Sequence, residues 1–484
     1  MKSQSWETVV GLEVHVELAT ASKLFCGCAN EFGVEPNTNV CPVCLGLPGS
    51  LPVLNERAVE YALRVAEALH LEVPGESVFA RKNYFYPDMP KNYQTSQYDQ
   101  PITVGGWLDV DGTRIGITRA HLEEDTGKTL HVGGGGRIHD AEHALVDYNR
   151  AGVPLLEIVS EPDIRSAEQA KRYVEELRAT LLAIQVSDVK MEEGSLRIDA
   201  NVSVRPAGST EFGTRCEIKN LNSLRSLVKA IEHEAQRQVT AREFGDAIVQ
   251  ETRHWDEQRG RTVSGRSKEE AHDYRYFPEP DLVPVAPTAE MREHVRVTLP
   301  ELPAARRQRL VDEWGIKEED ARVLVATPGL ADYAEKAVAA LTDGTPRDVV
   351  NWVRQDVLAY LNDSGLSPAV LAPEMLAELV GLVASGAISR NQGKDVLDES
   401  LREEKWPRDI VEARGLAQVS DTDELGAVVR AVLDENPEIV EEYRAGDDKA
   451  RKKKRGFLMG ELMKRLQGKG NPQVLNRLLD DHLG

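Results

Sequence analysis

The sequence predicts an α+β protein: a large domain built on a mainly antiparallel sheet, then an all-helical domain, then a small helical tail. Three observations carry this. From about Trp6 to Pro287, short polar/apolar alternations are broken by Gly, Pro and Asn/Asp turns, as half-buried strands require. After the proline-rich passage Pro278-Glu279-Pro280, Pro284 and Pro287, apolar residues recur at helical spacing and strand patterns vanish. A second break near Glu403–Asp409 precedes the last helices, which run to Leu483. The expected domains are residues 1–290, 291–408 and 409–484.

Element by element, the clearest strands are Val9–Leu18, Arg114–Leu122, Leu155–Val159 and Arg197–Val204. The helical stretches among them are Glu56–Leu69, Ser166–Ala183 and Asn222–Glu243. Beyond Pro300 come Asp320–Ala326, Leu330–Leu341 and Asp348–Leu361, and the tail helices begin near Thr422.

At 484 residues the chain exceeds what one core supports, since single cores stop growing near ~250–300 residues. With 41% hydrophobic and 29% charged residues, its composition is that of an ordinary soluble globular protein. No apolar run approaches the ~18 residues that cross a bilayer, and the stretch Met1–Glu7 lacks a signal-peptide core. A cytoplasmic location without a membrane partner is expected. The net charge of −21 confines any nucleic-acid contact to a local basic patch. DNA is not an expected partner.

Four of the five cysteines follow the pattern C-x-C-x12-C-P-x-C: Cys26, Cys28, Cys41 and Cys44. Two close thiolate pairs separated by a loop suit a tetrahedral Zn²⁺, and four protein ligands leave no open position, so the role is structural. Disulfides are the alternative, disfavoured in a reducing compartment. Cys216, alone between charged neighbours, reads as a small buried hydrophobe.

Period 2 puts Glu13, His15 and Glu17 on one face of their strand, with Leu12, Val14 and Val16 on the other. The same rule aligns Arg197, Asp199, Asn201 and Ser203, and then Arg215, Glu217 and Lys219. Each face alone suits a solvated sheet surface; three together suit the floor of a polar cleft able to hold a hard cation. Glu157 lies inside the apolar run Val153–Val159, where a carboxylate needs a partner or a cation. His121-Leu122-Glu123-Glu124-Asp125 adds further acid. Gly127-Lys128-Thr129 imitates the end of a P-loop, but Leu122 occupies the position of its first glycine. Gly133–Gly136 reads as a loop.

Longer strings carry more. Gly11-Leu12-Glu13-Val14-His15-Val16-Glu17-Leu18, Arg81-Lys82-Asn83-Tyr84-Phe85-Tyr86-Pro87-Asp88 and Asp188–Arg197 are three of them. Asp273-Tyr274-Arg275-Tyr276-Phe277-Pro278-Glu279-Pro280-Asp281 and Lys469-Gly470-Asn471-Pro472-Gln473 are two more. Through them the chain resembles, over essentially its whole length, the B subunits of the glutamyl-tRNA(Gln)/aspartyl-tRNA(Asn) amidotransferase family. The resemblance implies a cradle domain with a kinase-like ATP and Mg²⁺ site, a helical domain and a tRNA-contacting tail. It implies a heterotrimer whose other members are an amidase (glutaminase) and a small third protein, the A and C subunits. Its substrate would be tRNA(Gln) and/or tRNA(Asn). The side-chain carboxylate of the misacylated Glu or Asp is phosphorylated by ATP, and ammonia from the amidase then displaces the phosphate.

The resemblance further implies Mg²⁺ ligands at His15, Glu124 and Glu157, with Glu13, Asp199 and Glu217 as additional catalytic acids. Alternation does not separate Glu123 from Glu124, so that choice rests on the resemblance. Lys82, Lys91 and Lys190 are candidates for phosphate contact. Tyr84, Tyr86 and Tyr93 suit either stacking on a base or core packing. The cysteine cluster belongs to only some members of the family, which keeps zinc structural.

From Lys449 onward basic residues number ten and acidic ones three, a reversal of the overall balance. With the resemblance, Lys452, Lys453, Lys454 and Arg455 become the expected RNA contacts, through shape and backbone. Two other identities remain in view: the archaeal-type relative that shares the cradle, and a zinc-stabilised tRNA-binding module without catalysis. The first carries an inserted domain for which residues 361–422 leave no room. The second requires a metal-free, solvated carboxylate face.

Overall fold

The computed structural model describes residues 5–133, 141–267, 271–364, 371–416, 422–466 and 470–483. Most of the glycine run (residues 134–136) and Lys469 lie outside them. Two compact units emerge, Met1–Ala305 and Arg306–Gly484.

The first unit is organised by nine strands: β1 (Trp6–Glu17), β2 (Thr103–Val104), β3 (Trp107–Val110), β4 (Thr113–Glu124), β5 (Pro154–Ser160), β6 (Leu196–Pro206), β7 (Cys216–Lys219), β8 (Glu251–Asp256) and β9 (Arg261–Ser267). Their spatial order is β9-β8-β7-β6-β1-β5-β4-β2, with β3 also paired to β4. Every pairing is antiparallel except β7 with β8. The predicted α+β class is the observed one.

Alternation decides which way this sheet faces. Val10, Leu12, Val14 and Val16 of β1, with Leu156 and Ile158 of β5 and Ile198, Ala200 and Val202 of β6, are buried in one core. Helices α1 (Glu56–Ala68), α2 (Ala167–Ala183) and α3 (Leu224–Phe244) contribute to that core. Each helix starts at a residue whose side chain takes an otherwise orphaned N–H: Asn55 accepts from Arg57, Ser166 from Gln169 and Ser223 from Ser226. Gly245 ends α3 in the left-handed region at φ 85°, where glycine is free of Cβ strain. Val295 of the helix Ala289–Thr298 is buried in the same core, so the unit continues past the proline-rich passage.

One irregularity matters for the site. The register of β4 against β5 shifts between Ile117 and Arg119. Before it Ile115 and Ile117 are buried; after it Ala120 and Leu122 are. The shift changes the parity of the strand, so Arg119, His121 and Glu123 share the face opposite the core.

Among its described residues the elements of the second unit are all helices, and they hold two cores. One gathers residues from Leu310 to Val411 around Trp352, and the other runs from Leu425 to Leu483. No helix among the described residues is long and apolar enough to cross a membrane.

Candidate functional site

The face of the sheet away from the core floors a cleft of about 1620 Å³. Strand register lays its side chains out in rows. In one row His121, Glu157, His15 and Arg197 follow one another on β4, β5, β1 and β6. In the next, Arg119, Val159, Glu13 and Asp199 do the same. A third continues from Asn201 to Glu217 and Thr252 on β6, β7 and β8.

The first acidic cluster is His15, Glu123 and Glu157, whose ligating atoms all lie within 4.8 Å of one another. His15 Nε2 is 3.7 Å from an oxygen of each glutamate. His121 Nε2 lies 3.2 Å from Glu157, and Ser96 donates to Glu123 over 3.2 Å. Arg119 Nε lies 3.3 Å from His121 Nδ1, and against the effect of burial Glu157 and Glu123 push the His121 imidazole up to about 9. Burial resists ionisation of Glu157, yet His121, His15 and Lys82 hold its carboxyl well below the usual range. Two ionised carboxylates and an imidazole, one of the carboxylates only 3% exposed, form the oxygen-rich set a hard divalent cation takes.

The second cluster is Glu13, Asp199 and Glu217, again within 4.8 Å. Lys219 Nζ bridges Asp199 at 2.6 Å and Glu217 at 3.4 Å. Burial acts against the charge on Lys219, but Asp199 and Glu217 hold its ammonium above the ordinary lysine value. Asn201 donates to Glu13 and Thr252 to Glu217, at 2.9 and 2.8 Å. The three carboxylates bring oxygen ligands together in a set that suits a second cation. Glu17, on the same face of β1 but outside these clusters, is pushed up to about 7 by burial and by Asp125.

The placement of the remaining expected residues is uneven. Glu124, expected beside His15 and Glu157, lies elsewhere: it pairs with Lys91 and accepts from the Thr95 N–H at 2.8 Å. The carboxylate that meets His15 and Glu157 is Glu123. The reason is parity: Leu122 is buried in the core, so Glu124 shares its side of β4 while Glu123 takes the other. At the end of the strand that side opens into a small polar chamber of about 70 Å³ that includes Cys44, Thr95 and Glu279. Lys91 sits there too, away from the cleft.

Lys82 does line the cleft, with Nζ 4.8 Å over the Tyr274 ring. Burial acts against its charge, and Tyr276, Glu123 and Glu157 raise it above the ordinary lysine value. Lys190 is at the surface, paired with Glu193 at 2.9 Å. Of the three tyrosines, Tyr86 lines the cleft, Tyr84 packs edge-on to Tyr274, and Tyr93 lies under Arg81 at 4.2 Å. The stacked pair Tyr98 and Tyr276, centroids 4.3 Å apart, lines the cleft instead. Arg119 and His121 were not among the expected site residues; counting back by twos from Glu123 finds both.

Outside the cleft, the sulfurs of Cys26, Cys28, Cys41 and Cys44 come within 4.8 Å of one another, all as free thiols. Cys44 accepts from the Cys41 N–H at 3.1 Å, and the Lys23 ammonium lies 3.8 Å away. A hydrogen bond from Cys26 lowers the Cys44 thiol to about 5, against burial and with help from Lys23. Four thiol sulfurs in one cluster, one already in the thiolate range, match a tetrahedral zinc set. Gly152, at φ 87°, faces Cys44, and a Cβ there would meet the cysteine Cβ at 3.4 Å. Cys216 is buried in β7 as expected, but its thiol donates to the Val249 carbonyl at 3.4 Å and accepts from Arg237 at 3.5 Å, so it is held by polar contacts.

In the tail, the helix Asp448–Arg465 carries the basic run. Lys449, Lys452 and Lys453 are exposed, with no carboxylate partner among the described residues. Lys454 pairs with Glu442, and Arg455 with Asp480 at 2.8 Å, so these two tie the helix to its neighbours.

Comparison with known proteins agrees with this architecture. The family described as GatB/GatE catalytic domain matches residues 8–293, and the GatB domain matches residues 332–483. The B subunit of aspartyl/glutamyl-tRNA(Asn/Gln) amidotransferase from Moorella thermoacetica is 54% identical over 484 residues, covering 99% of this chain and 100% of the relative. The protein of the same name from Frankia casuarinae is 52% identical over 491 residues, covering 99% and 96%. That from Persephonella marina is 51% identical over 484 residues, covering 99% of both. The chain belongs to the family of amidotransferase B subunits, whose catalytic domain GatB and GatE share.

Proposed function

We propose that the cleft phosphorylates the side-chain carboxylate of Glu on tRNA(Gln), of Asp on tRNA(Asn), or of both, as the ATP-using step of a tRNA-dependent amidotransferase. In that step a carboxylate oxygen attacks the γ-phosphorus of ATP, the bond to the β–γ bridging oxygen breaks, and ADP leaves. Ammonia from the partner amidase then attacks the acyl carbon, phosphate departs with its oxygen, and the surplus proton passes to solvent. The observation that carries this reading is the pair of acidic clusters set side by side on one cleft floor.

His15, Glu123 and Glu157 would hold one Mg²⁺, and Glu13, Asp199 and Glu217 a second. Bound there, Mg²⁺ supplies the positive charge that phosphoryl transfer requires. The chain's own part is orientation. Ser96 and His121 hold the first two glutamates, Asn201 and Thr252 hold the acids of the second cluster, and Lys82 brings a cation to the same floor. Reconstituted with its amidase and small subunits, and without glutamine or ammonia, the protein is expected to form ADP only when misacylated tRNA is present. ADP formation that ignores the tRNA would sink the reading.

The basic face of the tail supports contact with the tRNA body, and the four-thiol cluster supports a structural Zn²⁺ that cross-links the loop after β1. About one zinc per chain is expected by mass spectrometry under native conditions, falling to near zero in Cys28→Ser. The thermal midpoint should fall with it, since a structural zinc contributes folding energy directly. An unchanged metal content in Cys28→Ser would remove zinc from the account.

A further inference from the structure

We propose that Arg119 is a phosphate-binding residue of the cleft, offering the terminal nitrogens of its guanidinium to the triphosphate of ATP; this rests on the phosphorylation reading above. Among the described residues, the lysines and arginines lining the cleft are Lys82, Arg119, Arg215 and Lys219. Lys219 is bound to Asp199 and Glu217, and Lys82 sits over Tyr274 beside Glu123 and Glu157. Arg215 is exposed. Arg119 is half-buried and, among the described residues, has no carboxylate partner. Its Nε edge faces His121 Nδ1 at 3.3 Å, and among the described residues the outer edge of the guanidinium has no partner.

A half-buried cation without an anion is costly to hold unless a ligand brings the missing charge. The planar fork of arginine matches two oxygens of one phosphate, and its weak hydration suits a partly closed site. Position supports the same ligand. Arg119 lies in the row of Glu13 and Asp199 and is separated from Glu13 only by Val159 of β5. Two strand spacings put Arg119 roughly 10 Å from the second acidic cluster, across a gap whose only floor residue is apolar. An anion entering that gap meets Arg119 on one side and any cations held by the acidic clusters on the other. The register shift at Ile117 and Arg119 is what turns this side chain out of the core and onto the floor.

The same chemistry could come from a backbone phosphate at the tRNA end, so both ligands are measured. Arg119→Gln and Arg119→Lys are assembled into the heterotrimer, and ADP formation is followed at saturating misacylated tRNA. The Kd for tRNA is taken separately without ATP, and the thermal midpoint checks the fold. Arg119→Gln is expected to raise KM for ATP about tenfold or more, in keeping with hydrogen bonds to a charged group. Arg119→Lys should recover part of that loss, with the tRNA Kd within about twofold of wild type. A KM for ATP unchanged in both variants, while wild type forms ADP normally, overturns the assignment to Arg119 alone. A rise in the tRNA Kd without a rise in KM for ATP transfers the residue to RNA and equally overturns it. A wild-type complex that forms no tRNA-dependent ADP overturns the phosphorylation reading and this assignment with it.

Discussion

Glu157→Gln is expected to lower tRNA-dependent ADP formation by on the order of 10²-fold or more. The loss should be this large because even residues supporting a metal ligand typically contribute 10–100-fold. Glutamine keeps the shape of the side chain and removes the charge that faces His15, His121 and Lys82. Glu123→Gln should fall in step, because the two carboxylates belong to one cluster. Glu124→Gln separates the two candidate sets. Its partner is Lys91 in the small polar chamber, so it should leave Mn²⁺ binding to the cleft intact. Calorimetric titration of the protein with Mn²⁺ reads this directly. Loss of Mn²⁺ binding in Glu124→Gln with retention in Glu123→Gln would reverse the assignment, and undiminished ADP formation by Glu157→Gln would remove the site from the chemistry.

The double reversal Lys452→Glu with Lys453→Glu is expected to weaken tRNA binding on the order of tenfold or more at low salt. These lysines are exposed and have no carboxylate partner among the described residues, so their charge is available to phosphates. Each phosphate contact adds about one to the slope of log affinity against log salt. The double variant should therefore flatten that slope as well as lower affinity. Lys454→Ala should act differently, because Lys454 is joined to Glu442 and its loss removes an ion pair within the tail. Filter-binding titrations across a salt series decide the matter: equal slopes for wild type and the double variant would place the RNA elsewhere.

Much of this protein was legible in its residue order. Alternation in Gly11–Leu18 and Arg197–Val204 identified both the strands and their polar faces, and the observed β1 and β6 present Glu13, His15 and Asp199 as expected. The cysteine spacing anticipated a four-sulfur cluster. The helical stretches Ser166–Ala183 and Asn222–Glu243 match α2 and α3 to within two residues. These features are local, carried by side-chain period and by residues that terminate elements.

What the tertiary structure alone decided concerns neighbours across strands. Whether Glu123 or Glu124 joins His15 depends on which side of β4 faces the core, and the bulge before Arg119 resets that side midway along the strand. Lys91 and Lys190 look as suitable as Lys82 in a string of letters, yet only Lys82 faces the cleft. Lys454 and Arg455 read as free charges until Glu442 and Asp480 are folded against them. By itself the sequence determined the elements, their polar faces and the chemistry available on each, because period and residue type act over a few positions. Only the folded chain decided which charges meet and which cancel, because pairing depends on register between strands far apart in sequence.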